Sequence, residues 1–203
     1  MRRRKFLQQA SFGTGIVATG CLPYGIARLL APNDAKADLG TQLKPPGALA
    51  NDLAFVEACI GCGLCGEVCP PRCIQFKKRE GGNEFNIPYI NPEVKACTLC
   101  GKCMDACPTE ALTAVSRDKI DMGIAQIDRT ACYPWVDKGI CGACAVVCPI
   151  GEKAIGFDFA NIYRPIVTKE CVGCGLCVEV CPHPSLPIKI VKRGAGTITA
   201  HNI

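Results

Sequence analysis

Hydrophobic alternation in this chain is confined to short stretches. Ile74 to Lys77, Leu112 to Val115, Ile155 to Phe159 and Ile188 to Val191 alternate or gather β-branched residues over four or five positions, which predicts four short strands. The Gly81-Gly82-Asn83 stretch and the run from Pro88 to Pro92 break the pattern and read as loops. Each predicted strand follows a cysteine-rich loop, so the unit that repeats is a strand, a cysteine loop, a short helix and a returning strand. One stretch differs in kind: Ala10 to Ala27 is apolar, carries no charge and is diluted by glycine and threonine.

The cysteine loops share one spacing. Cys59-x2-Cys62-x2-Cys65-x3-Cys69-Pro70 returns as Cys97-x2-Cys100-x2-Cys103-x3-Cys107-Pro108 and as Cys171-x2-Cys174-x2-Cys177-x3-Cys181-Pro182. A fourth copy has its first cysteine moved outward: Cys132-x8-Cys141-x2-Cys144-x3-Cys148-Pro149. Three thiolates two residues apart can wrap three irons of one cubane, with Gly61, Gly63, Gly101, Gly142, Gly173 and Gly175 opening the loop. In two-cluster ferredoxins the fourth cysteine ligates the neighbouring cluster, and it is expected here to begin a short crossing helix. The motifs should therefore work in pairs. Four of them imply an α+β, loop-rich fold of two ferredoxin-like modules holding four [4Fe–4S] clusters on the sixteen motif cysteines.

Residues 1–37 read as a leader, 38–50 as a linker, and 51–80, 88–118, 122–159 and 162–193 as the four motif units. The leader opens Arg-Arg-Arg-Lys-Phe-Leu-Gln over residues 2–8, a twin-arginine signal. Ala35-Lys36-Ala37 offers a cleavage site that would start the mature chain at Asp38, with retention as an anchor the alternative. Cys21, after Ala18-Thr19-Gly20, faintly resembles a lipoprotein processing site. Twin-arginine export suits clusters, which are assembled in a reducing cytosol and must travel folded, and it places the protein in the periplasm.

Composition agrees. Cysteine supplies 18 of 203 residues, a level that signals disulfides, metal or clusters in so short a chain. The net charge of +5 resides in the leader, because beyond residue 37 there are 17 Lys and Arg against 17 Asp and Glu. Four oxidised clusters would then make the mature chain anionic, at about −2 each. No basic patch interleaved with aromatics supports nucleic-acid binding. Zinc is disfavoured because its thiolate sites come as two separated pairs. A disulfide framework fits neither the spacing nor the leader, and a catalytic thiol lacks a positioned base.

Three other residues draw attention. Cys73 falls where the second repeat has Ala111, so it reads as a small buried side chain and not a ligand. His183, next to Pro182, could tune a cluster but reads as a solvated loop residue. Trp135, inside the insert from Tyr133 to Ile140, either shields a cluster or simply packs.

Beyond the cysteines, Leu43-Lys-Pro-Pro-Gly-Ala48, the run from Phe55 to Cys62, and Asp121-Met-Gly-Ile-Ala125 leading through Asp128 resemble the MauM/NapG group of ferredoxin-type proteins. The resemblance covers the chain from the leader to about Val191, with a short tail to Ile203 as the main departure. It implies that all sixteen motif cysteines are ligands. It further implies a periplasmic electron carrier peripheral to the inner membrane and attached through its partner or a retained leader. The implied partners are a polytopic iron–sulfur membrane protein (NapH-like) that takes electrons from quinol and a periplasmic redox acceptor, nitrate reductase in the type case. Alternatives are a subunit of a molybdenum oxidoreductase, a MauM-like role in methylamine utilisation, and a redox-enzyme maturation factor. Related four-cluster subunits suggest nested pairing, first motif with fourth and second with third; pairing in order is the other possibility.

Overall fold

The computed structural model describes residues 42–78 and 84–193. The leader with its cleavage site, Cys21, the Gly81-Gly82-Asn83 loop and His201 lie outside the described residues.

Helix α1 (Asp52–Ala58) is capped by Asn51, whose Oδ1 accepts from the Leu53 N–H at 2.9 Å and the Ala54 N–H at 3.4 Å. Its buried side chain is Phe55, and its end delivers Cys59 in extended backbone. The remaining helices are single turns: α2 (Leu64–Glu67), α3 (Lys102–Asp105), α4 (Ala143–Val146) and α5 (Leu176–Glu179). Each carries the third cysteine of its motif and stops ahead of the fourth, so the expected helix beginning at the fourth cysteine is not what forms. The proline after each fourth cysteine explains this, because it disfavours helical backbone at the residue before it. No helix among the described residues is long and apolar enough to cross a membrane.

Six strands form three antiparallel pairs: β1 (Ile74–Phe76) with β2 (Pro88–Ile90), β3 (Ile124–Ile127) with β6 (Ile188–Val191), and β4 (Ile155–Phe159) with β5 (Tyr163–Val167). The expected strands at 155–159 and 188–191 form with those bounds. Two expectations need correction. Pro88 to Ile90 is a strand, since in a two-stranded ribbon Pro88 can sit opposite Phe76 at the end of the ladder. Leu112 to Val115 is not one: Leu112 makes a single bridge to Ala48. The chain ahead of Ala48 is Pro45-Pro46-Gly47, and two residues without N–H groups cannot extend a ladder. Strands β3 and β5 have too little alternation to be read beforehand, one being four residues long and the other interrupted by Pro165.

The pairings reveal two copies of one plan. In each copy the strand closing one motif pairs with the strand opening the next, β1 with β2 and β4 with β5. The segment before the first motif pairs with the segment after the second, Ala48 with Leu112 and β3 with β6. Leu43 adds to the first copy by exchanging two 2.8 Å hydrogen bonds with Ile90. Pro45 and Pro46 are almost wholly buried, which gives the Leu43 to Ala48 segment a packing role.

The copies meet along a seam. The Cys97 N–H donates to the Cys174 carbonyl at 3.1 Å, the Ala96 N–H donates to Glu179 Oε2 at 2.7 Å, and Lys95 Nζ lies 2.6 Å from Glu179 Oε1. The described residues accordingly belong to a single compact unit.

Candidate metal centres

The loop between the second and third cysteines of a motif curls through left-handed backbone at glycine. Gly63, Gly101 and Gly175, each the residue before its single-turn helix, have φ of 82°, 80° and 88°. Gly142, at the same place in the stretched motif, departs from this with φ −138°. There the first cysteine stands nine residues upstream of the second and the loop need not curl back.

The thiols gather in fours, three from one motif and one from another. Cys59, Cys62, Cys65 and Cys107 line a cavity of about 360 Å³ that we call site 1. Cys97, Cys100, Cys103 and Cys69 line site 2, of about 270 Å³. Cys171, Cys174, Cys177 and Cys148 line a third cavity, site 4, of about 280 Å³. In site 3 Cys132 faces Cys141 and Cys181, and Cys144 faces Cys132 and Cys141. The first motif thus exchanges its last cysteine with the second, and the third with the fourth. Nested pairing is overturned in favour of pairing in order, because short hairpins join consecutive motifs and hold them face to face.

The sites also have neighbours. Cys103 of site 2 lies within range of the charge of Cys65 of site 1. The backbone of Cys97 in site 2 is hydrogen-bonded to that of Cys174 in site 4, and Cys177 of site 4 lies within range of the charge of Cys144 of site 3. The order in space is therefore 1, 2, 4, 3. Large apolar side chains stand exposed at both ends, Ile60 and Leu64 beside site 1, Ile140 and Val146 beside site 3.

All seventeen cysteines among the described residues are free of disulfides. No group of three or more His, Cys, Asp or Glu among the described residues could hold a single metal ion. The electrostatics explain what would be needed instead. Burial pushes the Cys65 thiol up to about 11, and the charges of Cys59, Cys62 and Cys107 add to it. Burial likewise raises Cys103 to about 12, Cys144 to about 11 and Cys174 to about 12, with the surrounding thiols contributing in each. Four thiolates so crowded and so poorly hydrated require a positive core among them. A four-iron, four-sulfide core of charge 2+ fits that donor set. The Cys107 thiol runs the other way: burial opposes its ionisation, but hydrogen bonds from Thr109, Leu112 and Ala111 outweigh it and lower its pKa.

Comparison with known proteins agrees with this geometry. A family profile described as a 4Fe-4S dicluster domain matches residues 58–111, 96–152 and 139–185. The methylamine utilization ferredoxin-type protein MauM of Methylobacillus flagellatus is 32% identical, over 96% of this chain and 85% of that protein. The ferredoxin-type protein NapG of Escherichia coli is 30% identical, over 98% of this chain and 90% of its own length. NapG of Haemophilus influenzae is 32% identical over 93% of this chain and 71% of its own. The chain belongs to the MauM/NapG family of ferredoxin-type proteins. It is an iron–sulfur electron-transfer protein, a carrier and not a catalyst, built on an α+β ferredoxin-like arrangement.

Two of the remaining candidates resolve as packing. Trp135 donates its Nε1–H to the Pro165 carbonyl at 3.1 Å, and its ring lies 4.1 Å and 5.5 Å from the Arg129 and Arg164 guanidiniums, which fastens the insert of the third motif to β5. His183 is half-buried, with Nδ1 accepting from the Ser185 N–H at 3.1 Å and its ring 4.6 Å from that of Tyr133. Cys73 is buried as expected, at 1% exposure, but it also lines site 2. Aligning the repeats located its twin, Ala111; the missing signal was that Ala111 lines site 1.

Proposed function

We propose that this protein is a periplasmic relay carrying four [4Fe–4S] clusters, one in each site, which passes single electrons between a quinol-oxidising membrane partner and a periplasmic reductase. The ligands are the sixteen cysteines of the four sites. The observation that carries the reading is the spatial order of those sites, a single file with an exposed apolar end on each side. A storage protein or a maturation factor has no use for two ends. Among the family, the NapG relatives favour a NapH-like iron–sulfur membrane protein as donor. The MauM relatives, named for methylamine utilization, favour a different acceptor on the same wire. The Arg-Arg-Arg-Lys-Phe-Leu leader supports twin-arginine export, with attachment to the inner membrane through the partner or the retained leader.

Bound clusters would supply the one-electron chemistry. The chain fixes their spacing and sets their potentials through burial and hydrogen bonds to sulfur. Anaerobic purification with iron and sulfide analysis, followed by reductive titration under EPR, tests the reading. It expects about sixteen irons per chain with broadened signals from coupled reduced cubanes, and oxidation of a quinol analogue once the membrane partner is supplied. Bound zinc or few irons would overturn it. Full clusters that transfer readily to an apo-reductase, with no quinol-linked reduction, would favour the maturation role.

A further inference from the structure

Site 2 differs from site 1 in two chemical respects: it lacks the Thr109 hydroxyl that stands 3.6 Å from Cys107 Sγ in site 1, having Pro71 at that place, and it holds an extra sulfur. Both are built from three cysteines of one motif and the last cysteine of its neighbour, yet site 2 contains a fifth thiol. Cys73 Sγ lies 3.5 Å from Cys69 Sγ, Cys97 is its other thiol neighbour, and the residue faces the cavity from the first turn of β1's approach. At the matching place in site 1 stands Ala111, also 1% exposed and also lining its cavity. At this one wall position the repeat therefore offers the same place with and without a sulfur.

Apart from the charge of Lys95 nearby, the polar neighbours of Cys73 are the two thiols of site 2. Once Cys69 and Cys97 hold iron as thiolates they have no proton to give, so the hydrogen bond can run only one way, from the Cys73 S–H to ligand sulfur. Hydrogen bonds to cluster sulfur favour the more negative, reduced state. We propose that Cys73 is a positioning residue for the cluster of site 2, a buried S–H donor to ligand sulfur at Cys69 that raises this cluster's potential above the value it would have with alanine there. This rests on the four-cluster reading above. The step from site 1 to site 2, where the two modules join, is then more downhill than it would be with alanine at 73.

The test uses the full chain purified anaerobically, in the variants Cys73→Ala, Cys73→Ser and Ala111→Cys, with iron analysis and EPR-monitored redox titration of each. Cys73→Ala is expected to keep its full iron and to shift the reduction equilibrium of one cluster about tenfold toward the oxidised form, about 59 mV for one electron. The other clusters stay in place. Cys73→Ser restores most of the shift because its O–H can donate, and Ala111→Cys moves a different cluster in the opposite direction. Full iron with every potential unchanged in Cys73→Ala overturns the proposal and leaves the relay standing. Loss of about four irons in that variant overturns it too, by making Cys73 an iron ligand. A wild-type chain without iron sinks the relay itself.

Discussion

Replacing Gly175 by alanine should loosen the protein well beyond what the same change does at Gly63. The two glycines hold the same position in the fourth and first motifs and have nearly the same backbone, φ 88° and 82°. A left-handed alanine costs about 1–2 kcal/mol at either one, so the backbone contribution cancels in the comparison. What differs is the space. A Cβ at Gly63 meets nothing within 4 Å. One at Gly175 would drive into Pro92 Cβ, with Pro92 Cγ at 3.4 Å and Ala96 Cβ at 3.6 Å, where the modules meet. The proline ring cannot swing aside, and overpacking of this kind costs about 1–3 kcal/mol. If the strain is released at the transition state for opening, Gly175→Ala should lose its clusters about fivefold to about 150-fold faster than Gly63→Ala. The assay is anaerobic decay of the visible absorbance at one fixed denaturant concentration, a rate being the sound measure for a cofactor-bound chain. Equal decay rates for the two variants would refute the packing of Pro92 and Ala96 against the fourth motif.

Pairing in order makes a sharp statement about iron. Cys59→Ala and Cys107→Ala should each cost about four irons, and the double variant should cost no more than either single one; iron analysis showing a doubled loss would restore nested pairing. The insert of the third motif should come away when its ring is removed. Trp135→Ala is expected to destabilise by about 1 kcal/mol or more and to make the cluster of site 3 the first to bleach, whereas equal bleaching of all clusters under EPR would make the ring irrelevant to that site. Asp52 gives a pH signature: hydrogen bonds from Lys192 and Lys44 hold its carboxyl below the usual range, so the stability it adds is present above about pH 3.9 and fades as pH falls through the lower folded value. Asp52→Asn should therefore decay slightly faster than the parent near neutrality, by less than about 1 kcal/mol in barrier, with the gap closing in acid.

The cysteines that line common cavities were legible because their spacing is dictated by local chemistry, three thiols within seven residues plus a proline-marked fourth. Partner choice was not, because it depends on which strands pair across tens of residues, and strands as short as Ile124–Ile127 or as irregular as Tyr163–Val167 leave almost no periodicity to read. Leu112 to Val115 shows the opposite failure. Its alternation is that of a strand, but the strand it needs opposite is Pro45-Pro46, so one bridge is all that forms. The helix turns were misplaced by a few residues because glycine ahead and proline behind, rather than apolar period, decide where a four-residue helix lies. Cys73 was correctly placed as buried; its facing a metal site emerged only when its twin Ala111 was found on the wall of site 1.

The pairing plan also sets a timetable for synthesis on the ribosome. Everything that closes sites 1 and 2 has been made once Thr113 emerges, whose N–H bonds the Gly47 carbonyl at 2.9 Å. Sites 3 and 4 must wait far longer, because β3 at residues 124–127 stays without its partner until β6 is complete at Val191. Between those two moments the chain presents a finished half and an open one. Iron delivery to the second half is therefore obliged to be a late, nearly post-translational event, and any export checkpoint that reads foldedness is in effect reading the last few residues of β6.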